Sequence, residues 1–332
     1  MRRLISVIMI VLLLPSVTLT INSCEDNALG VSNMKEKPIT YLFAGYDDAG
    51  ENTDSIILAN YSYEKNTISF LQIPRDTYFF DAPGGKINSV FPSERSKGKD
   101  QNTSMLAFRK KLEDVLGVNI TSHIGYSTKT FSDLVDAIGG VSLYLPMDIE
   151  IKNSKGDTVL DLKAGENLLS GEESLMFVRA RSEYIRGDLG RVDAQKLFIS
   201  SFIKKLQVDI SVADIFSAVI SCKNGWILDA KIGDFFKMLS INRGRLSDIK
   251  VNFATIPGEA VADASGKWYY SVSRAPTEKM LTELGFSKTS VFDSNKQLLN
   301  KSEDGFVKIY YGNYTTQIYD IDSLLKMQIL TR

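Results

Sequence analysis

Three stretches decide the architecture: ITYLFAGY at 39–46, SIILANY at 55–61 and TISFLQI at 67–73. Each is a run of strand length rich in β-branched and aromatic residues. The last two are separated by Ser62-Tyr63-Glu64-Lys65-Asn66, a hairpin-length loop. Helical periodicity follows. Asn102 is placed to cap a helix whose Met105, Phe108, Leu112 and Val115 fall at core spacing, closed by Gly117. A strand over Ile120 to Tyr126 leads into a second helix with Phe131, Leu134, Val135 and Ile138 on one face. Gly139-Gly140 ends that helix, and Val141 to Leu145 resumes strand. Ser170-Gly171-Glu172-Glu173 has the capping-box form S-x-x-E and opens a short helix. Another helix runs from about Arg191 to Leu206, with Phe198, Phe202, Ile203 and Leu206 facing inward. Alternating strands and helices predict one α/β domain with a mixed sheet over residues 38–287. Residues 288–332 read as a C-terminal extension: a polar patch at Ser294 to Asp304, then an alternating Val307-Ile309-Tyr311 strand.

Composition narrows the chemistry. With 44% hydrophobic residues in 332, the chain can bury a sizeable core, which excludes disorder. Thirty-nine basic against 40 acidic residues give no field that would draw it to nucleic acid. One histidine, His123, excludes a multi-histidine metal site; it is expected as a packing residue in a strand. Cys24 and Cys222 are too few for a zinc ribbon or a disulfide scaffold. Cys222 ends an apolar run and reads as a small buried packing residue. No Walker, H-E-x-x-H, G-x-S-x-G or C-x-x-C signature occurs. Chemistry here falls to carboxylates, arginines, lysines and hydroxyls.

Residues 1–23 form a targeting segment: Arg2 and Arg3, then Leu4 to Ile21 without a charge, broken by Pro15. Ser23-Cys24 at the end of that run resembles a bacterial lipoprotein processing site, with Cys24 the lipidated residue. An uncleaved membrane anchor is the alternative. Either reading places the rest outside the cytoplasmic membrane and tethered to it, with 24–37 as linker. Without residues 1–23 the chain carries 37 basic and 40 acidic side chains, so charge does not hold it to anionic lipid.

The polar residues at strand ends carry the functional signal. Gly45-Tyr46-Asp47-Asp48 closes the first strand and Thr53-Asp54-Ser55 opens the second, bringing Asp47 and Asp54 together. Two carboxylates there suit a hard cation such as Mg²⁺; a polar turn with a capping aspartate is the other reading. Pro74-Arg75-Asp76-Thr77 presents Arg75 as it leaves a buried strand, suited to phosphate oxygens or to a salt bridge with Asp76. Lys86-Ile87-Asn88 adds a cation beside a turn. The strongest pattern is Phe177-Val178-Arg179-Ala180-Arg181 followed by Gly187-Asp188-Leu189-Gly190-Arg191. Arg179 and Arg181 share a face if that segment is extended. Asp188 takes the place of a helix N-cap, with Arg191 and Gln195 one turn apart behind it. Free N–H groups beside three arginines form an anion site; a surface arginine cluster is the alternative.

Taken in order, G-x-D at 45–47, T-D-S at 53–55, PRDT at 74–77, KIN at 86–88 and VRAR…GDLGRVDAQ at 178–195 resemble the LytR-CpsA-Psr family of bacterial cell-envelope proteins. The resemblance runs from about Pro38 to Phe286. It implies an α-β-α sandwich whose mixed sheet leaves a hydrophobic tunnel for a polyprenyl chain. It also implies an enzyme that moves a glycopolymer from a polyprenyl-pyrophosphate carrier to peptidoglycan. Asp47 and Asp54 match the family's Mg²⁺-holding aspartates. Arg75, Arg179 and Arg181 match its pyrophosphate-binding arginines, and Asp188, Arg191 and Gln195 its helix-start positions, with Lys86 on the substrate side. Two roles are open to Asp188: orienting an arginine, or taking the proton of the incoming sugar hydroxyl. The chain departs from the family at Asn52, where an arginine is usual. That departure motivates a second reading, a polyprenyl-phosphate-binding protein or pyrophosphatase with weak or no transfer. Phosphoryl transfer by charge neutralisation and positioning needs no histidine, which agrees with the composition.

Overall fold

Strands β1 (Ile39–Tyr46), β2 (Thr53–Ser62) and β3 (Thr67–Gln72) form an antiparallel meander at the centre of a computed structural model. The structure describes residues 38–47, 49, 52–62, 64–79, 81–210, 212–222, 225–229, 250–288, 307–314 and 317–326. Residues 1–37, including the 1–23 segment and Cys24, lie outside the described residues, as does the polar patch at 294–304. Among the described residues no helix is long and apolar enough to cross a membrane.

Further along are α1 (Val90–Ser96), α2 (Gln101–Leu116), β4 (Ser122–Ser127) and α3 (Thr128–Ala137). Then come β5 (Val141–Leu145), β6 (Ile149–Lys152), β7 (Thr158–Leu162), β8 (Gly165–Leu169), α4 (Gly171–Arg179) and α5 (Asp188–Val208). The chain continues through α6 (Val212–Ser221), β9 (Trp226–Leu228), β10 (Lys250–Thr255), β11 (Gly258–Ala262), β12 (Trp268–Val272) and α7 (Arg274–Glu283). The last described elements are β13 (Val307–Tyr314), β14 (Ile318–Asp320) and α8 (Ile321–Leu325). The main sheet runs β14-β10-β3-β2-β1-β4-β9. Its β10–β3 and β1–β4 pairs are parallel and the rest antiparallel, so the sheet is mixed as expected.

Successive side chains of a strand point to opposite faces, and here both faces are covered. Tyr41 joins a core with Leu134 and Val135 of α3, Phe177 of α4, and Phe198 and Leu206 of α5. Leu42 and Ala44 join a second core with Phe91 of α1, Phe108 and Leu112 of α2, and Leu281 of α7. The result is the α-β-α sandwich. Cys222 is buried and free.

Local signals set most boundaries, with some corrections. Asp100, not Asn102, caps α2: its carboxylate accepts from the Thr103 N–H at 3.0 Å. Gly117 ends that helix in the left-handed region at φ 60°. The Ser170–Glu173 capping box is present in both directions and starts α4. That helix continues through Arg179, so Phe177–Arg179 is helical, and an extended FVRAR segment is not formed. Helix α5 begins at Asp188, earlier than Arg191. Gly187, at φ 55° and ψ −122°, is its N-cap residue, and that left-handed φ favours glycine. The segment after 288, read as an extension, is knitted into the domain: β13 pairs with β11, and β14 forms the edge of the main sheet against β10.

Candidate active site

Strands β1 and β2 end beside a β-bulge. Pairing runs Gly45↔Ser55 and then Tyr46↔Thr53, which leaves Asp54 as the extra residue. A regular strand would send Asp54 and Ser55 to opposite faces; the bulge lets both line one cleft. Gly45 is needed there, because a Cβ would lie 2.9 Å from the Tyr126 ring.

The PRDT turn is pinned by its backbone. Thr77 N–H and Oγ1 donate to the Pro74 carbonyl, Asn88 N–H donates to Arg75 O, and Tyr270 N–H donates to Asp76 O. Arg75 thereby reaches Asp54, with Nη1 2.5 Å from Oδ1, while its Nε lies 3.8 Å from both Asp76 and Asp188. Of the two sequence alternatives for Arg75, phosphate oxygens or a salt bridge, the structure shows the salt bridge, made chiefly to Asp54. Lys86 joins the same cluster, 3.1 Å from Asp76.

Asp188 is the hub. Arg191 Nη2 lies 2.9 Å from its Oδ1 and Arg181 Nε 3.5 Å away, so one carboxylate faces three guanidiniums including Arg75. Arg191 is only 1% exposed, and its Nε and Nη1 make no hydrogen bond. Burial, reinforced by the charges of Arg75 and Arg181 and opposed by Asp188 and Asp54, pulls Arg191 down to about 10. Burial and then Arg75 likewise lower Arg181. Burial alone would raise the Asp54 carboxyl, but Arg75, helped by Arg191 and Arg181, holds it below the ordinary carboxylate range.

Arg179 stands apart. It ends α4 exposed, lines the cleft with Asp54 and Ser55, and makes no ion pair among the described residues. Its helix end is held by a relay of amides: Gln72 Nε2 donates to Gln195 Oε1 at 2.6 Å, and Gln195 Nε2 donates to the Val178 carbonyl at 3.1 Å. Gln195 is therefore a brace between α5, β3 and α4. Gln72 was missed from sequence, since an uncharged residue within a strand carries no signal. Ser55 and Tyr126 were missed as lining residues for the same reason.

Asp47 lies at the other side of the bulge, accepting from Asn52 Nδ2 at 3.2 Å. Among the described residues no three His, Cys, Asp or Glu side chains come together as a metal cage. Asp47 and Asp54 offer at most two carboxylates, so a hard cation held there would take its other ligands from phosphate and water, as Mg²⁺ does.

Behind the cleft lies an apolar cavity of about 880 Å³, its open mouth included. Phe131, Leu134 and Val135 of α3, Phe198, Phe202 and Leu206 of α5, and Phe43, Ile57 and Phe70 of the sheet line it; the helix residues belong to the faces that the periodicity marked as apolar. Tyr126, Phe131, Phe198 and Ile199 also line the cleft that holds Asp54 and Arg179, so cavity and charged mouth share a wall. His123 lies elsewhere in the core, 1% exposed and 3.3 Å from Asp229.

The LytR_cpsA_psr family model matches residues 18–285. The polyisoprenyl-teichoic acid–peptidoglycan teichoic acid transferase TagU of Bacillus cereus is 29% identical over 256 residues, 75% of this chain and 79% of that protein. The crystal structure of B. subtilis TagV aligns with a TM-score of 0.59 at 25% identity, covering 76% of this chain and 97% of that one. The Streptococcus agalactiae protein gbs0355 reaches 0.64 at 19% identity over 82% and 96%, a likeness of fold. The family match spans most of the chain and every motif of the arginine–aspartate cluster, and on that ground the chain belongs to the LytR_cpsA_psr family.

Proposed function

We propose that this protein transfers a glycopolymer from a polyprenyl-pyrophosphate carrier to peptidoglycan, outside the cytoplasmic membrane and tethered to it through residues 1–37. The observation that carries this reading is the wall shared by the apolar cavity and the cleft of Arg179 and Asp54, with Asp54 in turn bound to Arg75 of the arginine hub. A ligand filling both has a long apolar tail joined to a polyanion, and a polyprenyl pyrophosphate is that molecule. TagU is named for a polyisoprenyl-linked teichoic acid donor and a peptidoglycan acceptor, which supports the same substrate classes here.

In the transfer, the acceptor hydroxyl oxygen bonds to the glycan-side phosphorus. The bridging P–O bond breaks, its electron pair leaves on the polyprenyl phosphate, and the hydroxyl proton passes to solvent. Arg75 and Arg181, held by Asp188, meet the pyrophosphate. Arg179, free of carboxylates, meets the departing lipid phosphate. Mg²⁺ held by Asp47 and Asp54 would neutralise the phosphate charge. Asp188, already engaged by three guanidiniums, orients them; this favours positioning over proton abstraction.

Asn52 favours the second reading, a carrier-binding protein or pyrophosphatase, because the loop spends a neutral amide on Asp47 where a cation is usual. Purified protein incubated with Mg²⁺, a polyprenyl-pyrophosphate-linked glycan and peptidoglycan decides between them. Glycan appearing on peptidoglycan supports transfer. Lipid phosphate released without it supports hydrolysis, and neither product supports binding alone.

A further inference from the structure

A second pocket opens at Asp188. About 380 Å³ with its open mouth included, it is lined by Pro74, Asp76, Arg186, Asp188, Trp268 and Tyr269 among others. Asp188 lines this pocket and not the cleft of Arg179, whereas Asp54 lines that cleft and not this pocket. The two spaces thus have separate linings, one containing Asp54 and the other Asp188, and both carboxylates meet Arg75. Trp268 is 46% exposed, unusual for so large an apolar ring. Its neighbour Tyr269 is held by cations, with Lys86 Nζ 5.5 Å and Lys267 Nζ 5.2 Å from the ring centroid. Reciprocal backbone bonds tie β12 to the PRDT segment: Tyr270 N–H to Asp76 O and Tyr78 N–H to Tyr270 O, each 2.8 Å. The aromatic pair is therefore carried on the same rigid piece as Arg75.

The lining selects a class of ligand. A polyanion would meet Asp76 and Asp188, and a lipid tail would find carboxylates and a guanidinium. A pyranose fits both kinds of surface: its C–H face lies on an aromatic ring while its hydroxyls donate to carboxylates and accept from Arg186. Position then selects the role. An in-line displacement needs the attacking hydroxyl away from the leaving lipid phosphate assigned to Arg179, and this pocket meets the hub at Asp188 through lining that the Arg179 cleft does not share. We propose that the Trp268–Tyr269 pocket is the acceptor-sugar subsite, which seats a sugar of the peptidoglycan glycan strand with its hydroxyl toward the Asp188 hub. This assignment rests on the carrier reading given above.

The chain's two tryptophans permit a test that separates the two ideas, since Trp226 lines the apolar cavity and Trp268 the pocket. In Trp226→Phe, peptidoglycan glycan strands freed of peptide are expected to shift the remaining Trp268 emission saturably. In Trp268→Phe, a polyprenyl pyrophosphate is expected to shift Trp226. Trp268→Ala is expected to raise the acceptor KM roughly tenfold, with less than a twofold change in donor KM. Unmoved Trp268 emission with glycan strands, an unchanged acceptor KM, or a rise confined to the donor KM overturns the subsite. A silent Trp226 overturns the carrier reading by itself, whatever Trp268 reports.

Discussion

The Arg191 guanidinium meets the Asp188 carboxylate at 2.9 Å, one turn apart on α5, and Arg191 is almost wholly shielded from water. Asp188 also faces Arg75 and Arg181, so it couples a buried cation to two that are less buried. A carboxylate in that place both offsets the burial of Arg191 and aims its neighbours.

Asp188→Asn should therefore fail twice. Removing one partner of a buried pair costs about 2–3 kcal/mol where, as here, the carboxylate keeps some contact with water. Loss of arginine aim should cut transfer by roughly 10². In urea unfolding, Asp188→Asn combined with Arg191→Gln should lose less than the sum of the single losses. Strict additivity would mean that the two residues are not coupled.

Arg179→Ala is expected to separate rate from stability. Its side chain is exposed and holds no carboxylate, so the unfolding midpoint should stay within about 0.5 kcal/mol of wild type. Transfer should fall by roughly 10². Arg75→Ala, which takes from Asp54 its hydrogen-bonded guanidinium and from Asp76 and Asp188 one cation each, should lower both. Equal stability losses in the two variants would contradict the geometry.

The sheet was legible because strand-length apolar runs and turn residues act locally. The α3 and α5 cavity lining was legible because helical spacing puts Phe131 with Leu134 and Phe198 with Phe202 and Leu206. The arginine motif was recognisable, but its conformation was not. The alternate spacing of Arg179 and Arg181 suggested a strand, whereas the Ser170–Glu173 capping box had already begun a helix that runs through Arg179. The meeting of Arg75, Arg181 and Arg191 on Asp188 depends on how β3 and α5 pack, and no local pattern encodes that. Trp268 was likewise silent in sequence; it stands out only by its exposure beside Asp76 and Asp188.

His123 predicts a pH dependence. Burial, assisted by the Arg109 charge and opposed by Asp229, pulls its imidazole from 6.5 to about 4. The unfolded chain therefore takes up a proton before the folded chain does. Stability is full above about pH 6.5, falls as pH drops toward 4, and loses nothing further from this group below that. The loss is on the order of 3 kcal/mol. Urea midpoints at pH 7 and pH 4.5 should differ more in wild type than in His123→Gln, and an equal drop in both would assign the dependence to other groups.

The bulge aspartates predict a metal dependence. Asp54→Ala should remove Mg²⁺-stimulated cleavage of a polyprenyl pyrophosphate, because only two carboxylates are offered and the phosphate supplies the rest. Asn52→Arg, placing a cation beside Asp47, should leave the rate equal or raise it. A Mg²⁺ titration of wild type and both variants tests this. Unchanged Mg²⁺ response in Asp54→Ala would place the cation elsewhere. Turnover gained only in Asn52→Arg would favour the binding-protein reading of the native chain.

The cavity predicts a dependence on lipid length. Val135 and Leu134 face the space between α3 and the sheet, and Ile203 closes it from α5. Ile203→Trp would fill part of that volume with a ring while leaving the arginine hub and the Gln72–Gln195 brace in place. Overpacking alone costs about 1–3 kcal/mol, so thermal unfolding must first establish that the variant is folded. A folded Ile203→Trp should then raise KM for a long-chain polyprenyl-pyrophosphate donor by roughly tenfold or more, the equivalent of about 1.4 kcal/mol. The same variant should treat a donor truncated to one or two isoprene units much as wild type does, since Ile203 lines the cavity and not the cleft where a short tail would stop. If both donors lose equally, the substitution has disturbed the mouth and says nothing of the tail. If neither loses, the isoprenoid does not lie in this cavity, and the reading that joins it to the charged mouth fails.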